Sequence, residues 1–412
     1  MQHPLVNDAY QFISNAAKGE KSDMNFDEII DRRGSHSSKW DTMEANYGVS
    51  ATDGIAMWVA DMDFRPPECV SKALHSMIDV GVYGYFGDDS AYKAAIQWWM
   101  NTRHGWTIDP SWIFSTNGLV NGVAMCIDTF TAPGDGVVIF TPVYHAFARV
   151  IKASEREVVE CPLVNTDGRY EMDFAAYDAQ MTGRESLLIL CSPHNPGGRV
   201  WTRDELEQVV AFAARHDLTI VSDEIHHDLV FPDAKHTVTA LLDNTSTRLV
   251  TMTATTKSFN VAGGHTGNII IADPEMRAKF AQKMTAMGVS ANSFGLEMAT
   301  AAYSPEGAAW LDALVSYLDG NRKLFDDTLN TIPGVRSMPL EATYLAWVDF
   351  DGTGMTKDEF TRRVTKDARI AVNFGPTFGS GGETFLRFNF ATPRSVVQEA
   401  CDRLKQAFSD LQ

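Results

Sequence analysis

A lysine, an aspartate, an asparagine, a tyrosine and a glycine stand where they could do chemistry together. Asn195 follows the apolar run SLLILCSP, Asp223 ends LTIVSD, Lys257 lies just beyond RLVTMTAT, and Tyr144 closes GVVIFTPVY. Gly118, in STNGLVNGVAMCI, opens a helix-like apolar stretch. A lysine amine can form a Schiff base with a carbonyl compound, and an acid can hold a heterocyclic nitrogen protonated. Unpaired N–H groups at a helix start favour phosphate, and an aromatic ring can stack on a flat ligand. Taken singly, each residue has an ordinary reading: Asp223 as a helix cap, Lys257 as a solvated cation, Tyr144 as core, Gly118 and Asn195-Pro196-Gly197 as turns. Their order and their place at successive strand ends favour the joint reading.

The elements that must position them are legible as patterns. Gly136–Phe140, Glu157–Leu163, Ser186–Pro193, Leu218–Glu224, Arg248–Thr255 and Gly267–Ala272 are continuous apolar, β-branched runs, which predict strands covered on both faces. Thr202–Asp217 has a Thr cap, early acids and apolar residues at helical spacing, which predicts a helix between two of them. Strand–helix–strand repetition gives an α/β class, a mostly parallel sheet with helices on both sides. Ligands then sit beyond the carboxyl ends of the strands. A long helical stretch is expected over about Pro274–Leu329. After it come strand candidates in YLAWVDF, ARIAVNF and TFLRFNF, a helix from Thr356 and a terminal helix, an α+β pattern. The expected organisation is an arm over 1–63 that shares in the smaller unit, a large unit over 64–315 and a small unit over 316–412. A short periodic piece is expected near Asn25–Arg33. There is no repeat, no low-complexity tract and no GxGxxG after a strand.

Composition limits the classes. With 412 residues, 44% of them apolar, the chain can bury a core without staples. Its 35 basic and 53 acidic residues leave a net charge of −18, which repels phosphate backbones and argues against a nucleic-acid partner. Five scattered cysteines with no CxxC imply reduced thiols in a cytoplasmic protein. Neither a secretory signal nor a membrane span is seen. His226-His227-Asp228, read as adjacent strand residues pointing to opposite faces, are not expected to share a metal ion, and no metal is expected. Asp61 and Asp63, read as sharing a strand face, could form an acid pair, with a turn or capping role favoured. Trp98-Trp99 reads as core or interface.

One cofactor needs the set of groups at the strand ends: pyridoxal 5'-phosphate, which takes a lysine amine, an acid for its pyridine nitrogen and an anion cradle. The motifs MWVADMDF (57–64), YGYF (83–86), SPHNPGGRVW (192–201), SDEIHHDLVF (222–231), TKSFNVAG (256–263) and LRFNFATPR (386–394) cover nearly the whole chain. On these the sequence resembles fold-type I pyridoxal-phosphate enzymes of the aspartate aminotransferase superfamily. Within that group it resembles the MalY/PatB family of cystathionine β-lyases and cysteine-S-conjugate β-lyases.

The resemblance implies roles residue by residue. Lys257 would be the Schiff-base lysine, Asp223 the acid at the pyridine nitrogen, and Asn195 and His226 the partners of the ring hydroxyl oxygen. Tyr144 would stack on the ring. Gly118, Leu119 and Val120 would form the phosphate loop with Thr255 and Thr256, and Tyr85 would reach the phosphate of a neighbouring subunit. Arg387, with Asn195 and Ala60, would hold the substrate carboxylate, for which a guanidinium is suited by its two parallel donors. Where aspartate aminotransferases carry an arginine eight residues after the lysine, this chain has His265, a weaker anion partner. Ala254 stands where a serine is common, leaving Thr253, Thr255 and Thr256 as alternatives. The implied activity is α,β-elimination from cystathionine or cysteine S-conjugates, releasing thiol, pyruvate and ammonia, in a cytoplasmic homodimer acting on a small amino acid. The alternative is an aminotransferase. A regulatory protein on this fold is disfavoured by the absence of a helix-turn-helix pattern and by the acidic charge.

Overall fold

A computed structural model describes residues 24–290 and 292–411. The amino-terminal part of the expected arm, 1–23, lies outside them. The central sheet has seven strands in the order Ile113–Thr116, Gly267–Ile270, Leu249–Thr253, Thr219–Asp223, Glu185–Cys191, Gly136–Thr141, Glu157–Pro162. Only Gly267–Ile270 runs against the others. Six carboxyl ends therefore share one edge, which is what brings distant loops together.

Five of the six continuous apolar runs have the two-sided burial expected of them; the sixth, Glu157–Pro162 at the sheet edge, fully buries only Cys161. Val138, Phe140, Leu188, Leu190 and Ile220 face Leu206, Val209, Val210 and Phe212 of the helix Arg203–Arg215. Their neighbours Val137, Ile139, Leu187, Ile189 and Val221 face the other way, into a core shared with Val123, Cys126 and Ile127 of the helix Leu119–Phe130. Each such side chain fully removed from water contributes about 1.5–3 kcal/mol. The helix Arg203–Arg215 starts at Thr202, whose hydroxyl accepts from the Glu205 N–H while Glu205 accepts from the Thr202 N–H. That is the reciprocal cap expected from the sequence.

A second, antiparallel sheet has the order Arg336–Ser337, Leu345–Asp349, Phe385–Asn389, Asn373–Phe374. The terminal helix Arg394–Ala407 buries Val397, Ala400, Cys401 and Leu404. From the arm, Ile55–Ala56 pairs in parallel with Ile370–Ala371. The helix Pro305–Leu329 runs unbroken across residue 315.

Three expectations are corrected. The stretch 274–329 is three helices, Pro274–Met287, Ser293–Ala302 and Pro305–Leu329. Gly288 ends the first at φ +60°, and Asn292 and Ser304 cap the next two. The segment 25–33 is irregular: Phe26 packs edge-on against Phe64, but Ile29 is 71% exposed, so its apolar residues do not share a buried face. Asp61 and Asp63 lie in irregular backbone rather than a strand. They are joined through cations: Arg32 donates to Asp61 Oδ2 at 2.7 Å and Asp63 Oδ1 at 2.8 Å, and buried Lys39 donates to Asp63 Oδ2 at 2.7 Å. Despite burial, Lys39 and Arg32 hold the Asp63 carboxyl below its ordinary range. This clasp fixes the arm against the loop that carries Ala60.

Candidate active site

The carboxyl edge of the central sheet gathers most of the expected residues. Asp223 is the last residue of its strand, in register with Cys191 on one side and Met252 on the other. It is buried, and its carboxylate's only hydrogen bond among the described residues is from the Ile225 N–H at 3.1 Å. Burial pushes its pKa up to about 7; Glu224 adds to the rise, and the Ile225 N–H and Lys257 oppose it. A buried acid so short of partners is suited to a cationic N–H.

Lys257 sits in the single helical turn Thr255–Ser258 that follows the strand Leu249–Thr253. Its Nζ donates to the Ala60 carbonyl at 2.5 Å, and Tyr344 Oη donates to the same oxygen at 3.0 Å. Burial lowers the lysine pKa to about 8; Arg387 lowers it further, while Asp61 and Asp223 pull it back up. One turn on, Asn260 clamps the same loop, accepting from Met62 N at 2.9 Å and donating to Phe64 O at 2.7 Å. The lysine and its acceptor are thus held by one short piece of backbone.

Arg387 comes from the other sheet, on the strand Phe385–Asn389, opposite Trp347 and Asn373. It is 2% exposed, and its guanidinium donates to Asn195 Oδ1 at 3.0 Å, Trp58 O at 3.1 Å and Asn373 Oδ1 at 2.5 Å. Its Nε is buried without a partner, and the group lies 4.9 Å from the Phe378 ring centroid. Burial lowers its pKa to about 10, so it stays cationic at neutral pH. Asn195 therefore joins the two sheets at the site.

Gly118 precedes the helix Leu119–Phe130 at φ +84°, a conformation that only glycine adopts at no cost, and a side chain there would point into open space. The first N–H groups of that helix, at Leu119 and Val120, could hold a phosphate. Tyr144 packs edge-on against His145 and Phe147 and lies close enough to Arg387 and Asp223 to feel both charges, with burial raising its own pKa. His226 is buried with Nδ1 unpartnered, and burial keeps its imidazole neutral, with Lys257 and Arg387 acting in the same direction. Thr255 and Thr256 are buried at the start of the lysine's turn. An amine, a buried acid with a single hydrogen bond, an imidazole nitrogen without a partner among the described residues and a helix start suit the aldehyde, ring nitrogen, ring hydroxyl and phosphate of the expected cofactor.

Not every expected residue converges. Tyr85, in the loop after the helix Glu68–Val80, is fully exposed. His265 is exposed at φ +44°. Ala60 takes part through its carbonyl, which attracts the lysine amine and would repel a carboxylate. The segment Ile225–Asp228 is a turn rather than a strand, so His226 lies beside Tyr344 and feels Lys257 and Arg387, while His227 and Asp228 come together with His104 elsewhere. Sequence reasoning missed Tyr344, Asn373, Trp58 and Asn260 as site residues. Of these, Asn260 alone had a local signal, one turn after the lysine.

Residues 52–404 match the family described as aminotransferase class I and II. The chain is 39% identical to cystathionine beta-lyase PatB of Bacillus subtilis strain 168 over 94% of its own length and all of that protein's. It is 31% identical to protein MalY of Escherichia coli strain K12, covering 91% of this chain and 96% of that one. Its fold matches the crystal structure of cystalysin from Treponema denticola, which contains pyridoxal 5'-phosphate, with a TM-score of 0.89 and 36% identity over 94% of this chain and 99% of that one.

Proposed function

Because the chain belongs to the class I and II aminotransferase family, we propose that it is a pyridoxal-phosphate-dependent carbon–sulfur β-lyase. It splits cystathionine or a cysteine S-conjugate into a thiol, pyruvate and ammonia. The observation that carries this reading is end-to-end relatedness to a protein named cystathionine beta-lyase, together with Lys257 and Asp223 on neighbouring strand ends. Pyridoxal phosphate, when bound, supplies an aldehyde for an amine and a cationic ring that takes up the electrons of a broken Cα–H bond.

The chain's own residues do the rest. Arg387, oriented by Asn195, Asn373 and the Trp58 carbonyl, binds the substrate carboxylate with a planar fork that a lysine could not reproduce. Lys257, with its pKa near 8, takes the Cα proton at Nζ and gives a proton to the departing sulfur. The Ala60 carbonyl and Tyr344 keep that amine on the cofactor side of the cleft. Asp223 would hold the ring nitrogen, Tyr144 would stack on the ring, and His226 with Asn195 would meet the ring oxygen. Gly118, Leu119, Val120, Thr255 and Thr256 would hold the phosphate. The arm, the large unit and the small unit divide near residues 63 and 315, with the helix Pro305–Leu329 common to both units.

Transamination would use the same residues, so the products decide. Incubation with cystathionine and no added keto acid is expected to release pyruvate and ammonia in equal amounts. Conversion that requires a keto acid and releases no ammonia would overturn the lyase reading in favour of an aminotransferase.

The same reading makes the protein a cytoplasmic homodimer. Its five free cysteines suit a reducing compartment. Ile78, Val80, Val82, Tyr83 and Tyr85 are 57–107% exposed in one short run, an apolar patch that calls for a partner. A second copy covers it, and Tyr85 reaches that copy's phosphate. Light scattering is expected to give twice 45.5 kDa. Tyr85→Phe is expected to weaken cofactor retention by about 10–100-fold, the worth of one hydrogen bond to a charged group. A fully active monomer, or unchanged retention in that variant, would contradict this arrangement.

A further inference from the structure

His104, His227 and Asp228 each have a potential ligand atom within 4.8 Å of the others'. His227 Nδ1 lies 2.6 Å from the Glu224 carbonyl oxygen, which can only accept, so Nδ1 carries a hydrogen. His227 Nε2 is then left buried and without a hydrogen-bond partner among the described residues, facing Asp228 Oδ2 at 3.4 Å. A bare lone pair opposite a carboxylate oxygen, both nine-tenths buried or more, is repulsive unless a metal cation or a second ring proton lies between them. His104 Nε2 approaches the other oxygen, Asp228 Oδ1, at 2.8 Å.

The surroundings match the supporting shell of a bound metal. Asp228 also accepts from Trp99 Nε1 at 3.0 Å and Ser258 Oγ at 2.9 Å, which fixes the carboxylate. The Glu224 carbonyl fixes the His227 tautomer with Nε2 presented, as an outer hydrogen bond does for metal-bound histidines. The two histidine nitrogens approach different oxygens of the Asp228 carboxylate, at 2.8 and 3.4 Å, so each oxygen of that group faces a nitrogen donor. Two imidazoles and one carboxylate select a borderline cation such as Zn²⁺ over Mg²⁺ or Ca²⁺. The His104 side chain, 9% exposed at the end of the helix Ser90–His104, gives a way in from solvent.

We propose that His104, His227 and Asp228 form a Zn²⁺-class metal site, with water completing the coordination. The site reaches the catalytic region through Asp228, whose partner Ser258 is the residue after Lys257.

The test uses the cofactor-loaded protein, treated with chelator, equilibrated with ZnCl₂ and desalted. Bound zinc is measured by atomic emission and stability by thermal melting. The wild type is expected to keep about one zinc per chain and to melt at a higher temperature with zinc, with Mg²⁺ unable to compete. His104→Gln, a change at the edge of the site, is expected to melt like the wild type without metal and to bind zinc at least about tenfold more weakly. His227→Gln should lose the same zinc. Equal zinc in the wild type and His104→Gln, or none in the wild type, overturns the proposal, because the bare nitrogen is then satisfied by a proton alone.

Discussion

Lys257→Ala is expected to lower kcat by at least about 10⁴-fold, the upper range for losing a positioned proton-transfer group. In the proposed function the variant removes both the amine that would anchor the cofactor and the base that would work at Cα. Burial brings the lysine pKa down to about 8, so at pH 7 about a tenth is already free amine, against well under a thousandth for an ordinary lysine. The sign follows from that: protonation below about pH 8 blocks the nucleophile, and raising the pH through this range frees it. Loading of pyridoxal phosphate into the stripped wild-type chain should therefore accelerate from pH 7 to pH 9. The alanine variant should show neither that acceleration nor the visible absorption of the loaded protein. Retention of more than about one hundredth of wild-type turnover would remove Lys257 from the mechanism.

Asp223→Asn is expected to lower kcat by roughly 10²–10³-fold, as for the loss of one preorganised electrostatic partner. Asparagine keeps the size of the side chain but cannot hold the ring nitrogen cationic. In the protein alone the acid sits near a pKa of 7, because burial disfavours its charge and little opposes it. A cationic N–H beside it would supply the missing opposition and restore the carboxylate. The loss should fall on kcat, with KM for cystathionine within a few-fold of wild type, since the proposed holder of the substrate carboxylate is Arg387, oriented by Asn195. Steady-state kinetics make the distinction: a rise in KM at constant kcat would assign Asp223 to substrate binding instead.

The large sheet was legible because its strands are buried on both faces and so leave unbroken apolar runs. Asp223, Asn195 and Lys257 were legible as polar residues that end such runs. The strand Ile113–Thr116 was not, being only four residues long with two of them half-buried. The reversal of Gly267–Ile270 was hidden as well, since direction leaves no trace in apolar content. Partners far apart in the chain were beyond local pattern: Arg387 meets Asn195 across 192 residues, and His104 meets Asp228 across 124. The pairing of Asp61 and Asp63 with Arg32 and Lys39 was missed for the same reason. The reading of 226–228 as a strand is corrected by the structure, which has a turn there. A turn rotates successive side chains differently, and it brings His227 and Asp228 to one side.

The buried Lys39–Asp63 pair makes the arm a structural organ of the lysine pocket. An anion stranded in the interior by losing its counterion costs about 3–5 kcal/mol. Any cut that carries off Lys39 and Arg32 would therefore slacken the backbone that presents the Ala60 oxygen, about two hundred positions upstream of the amine it restrains. Catalytic competence and the integrity of the leading segment thus become a single property, and a nicked molecule could keep its sheets while losing its grip on the nucleophile.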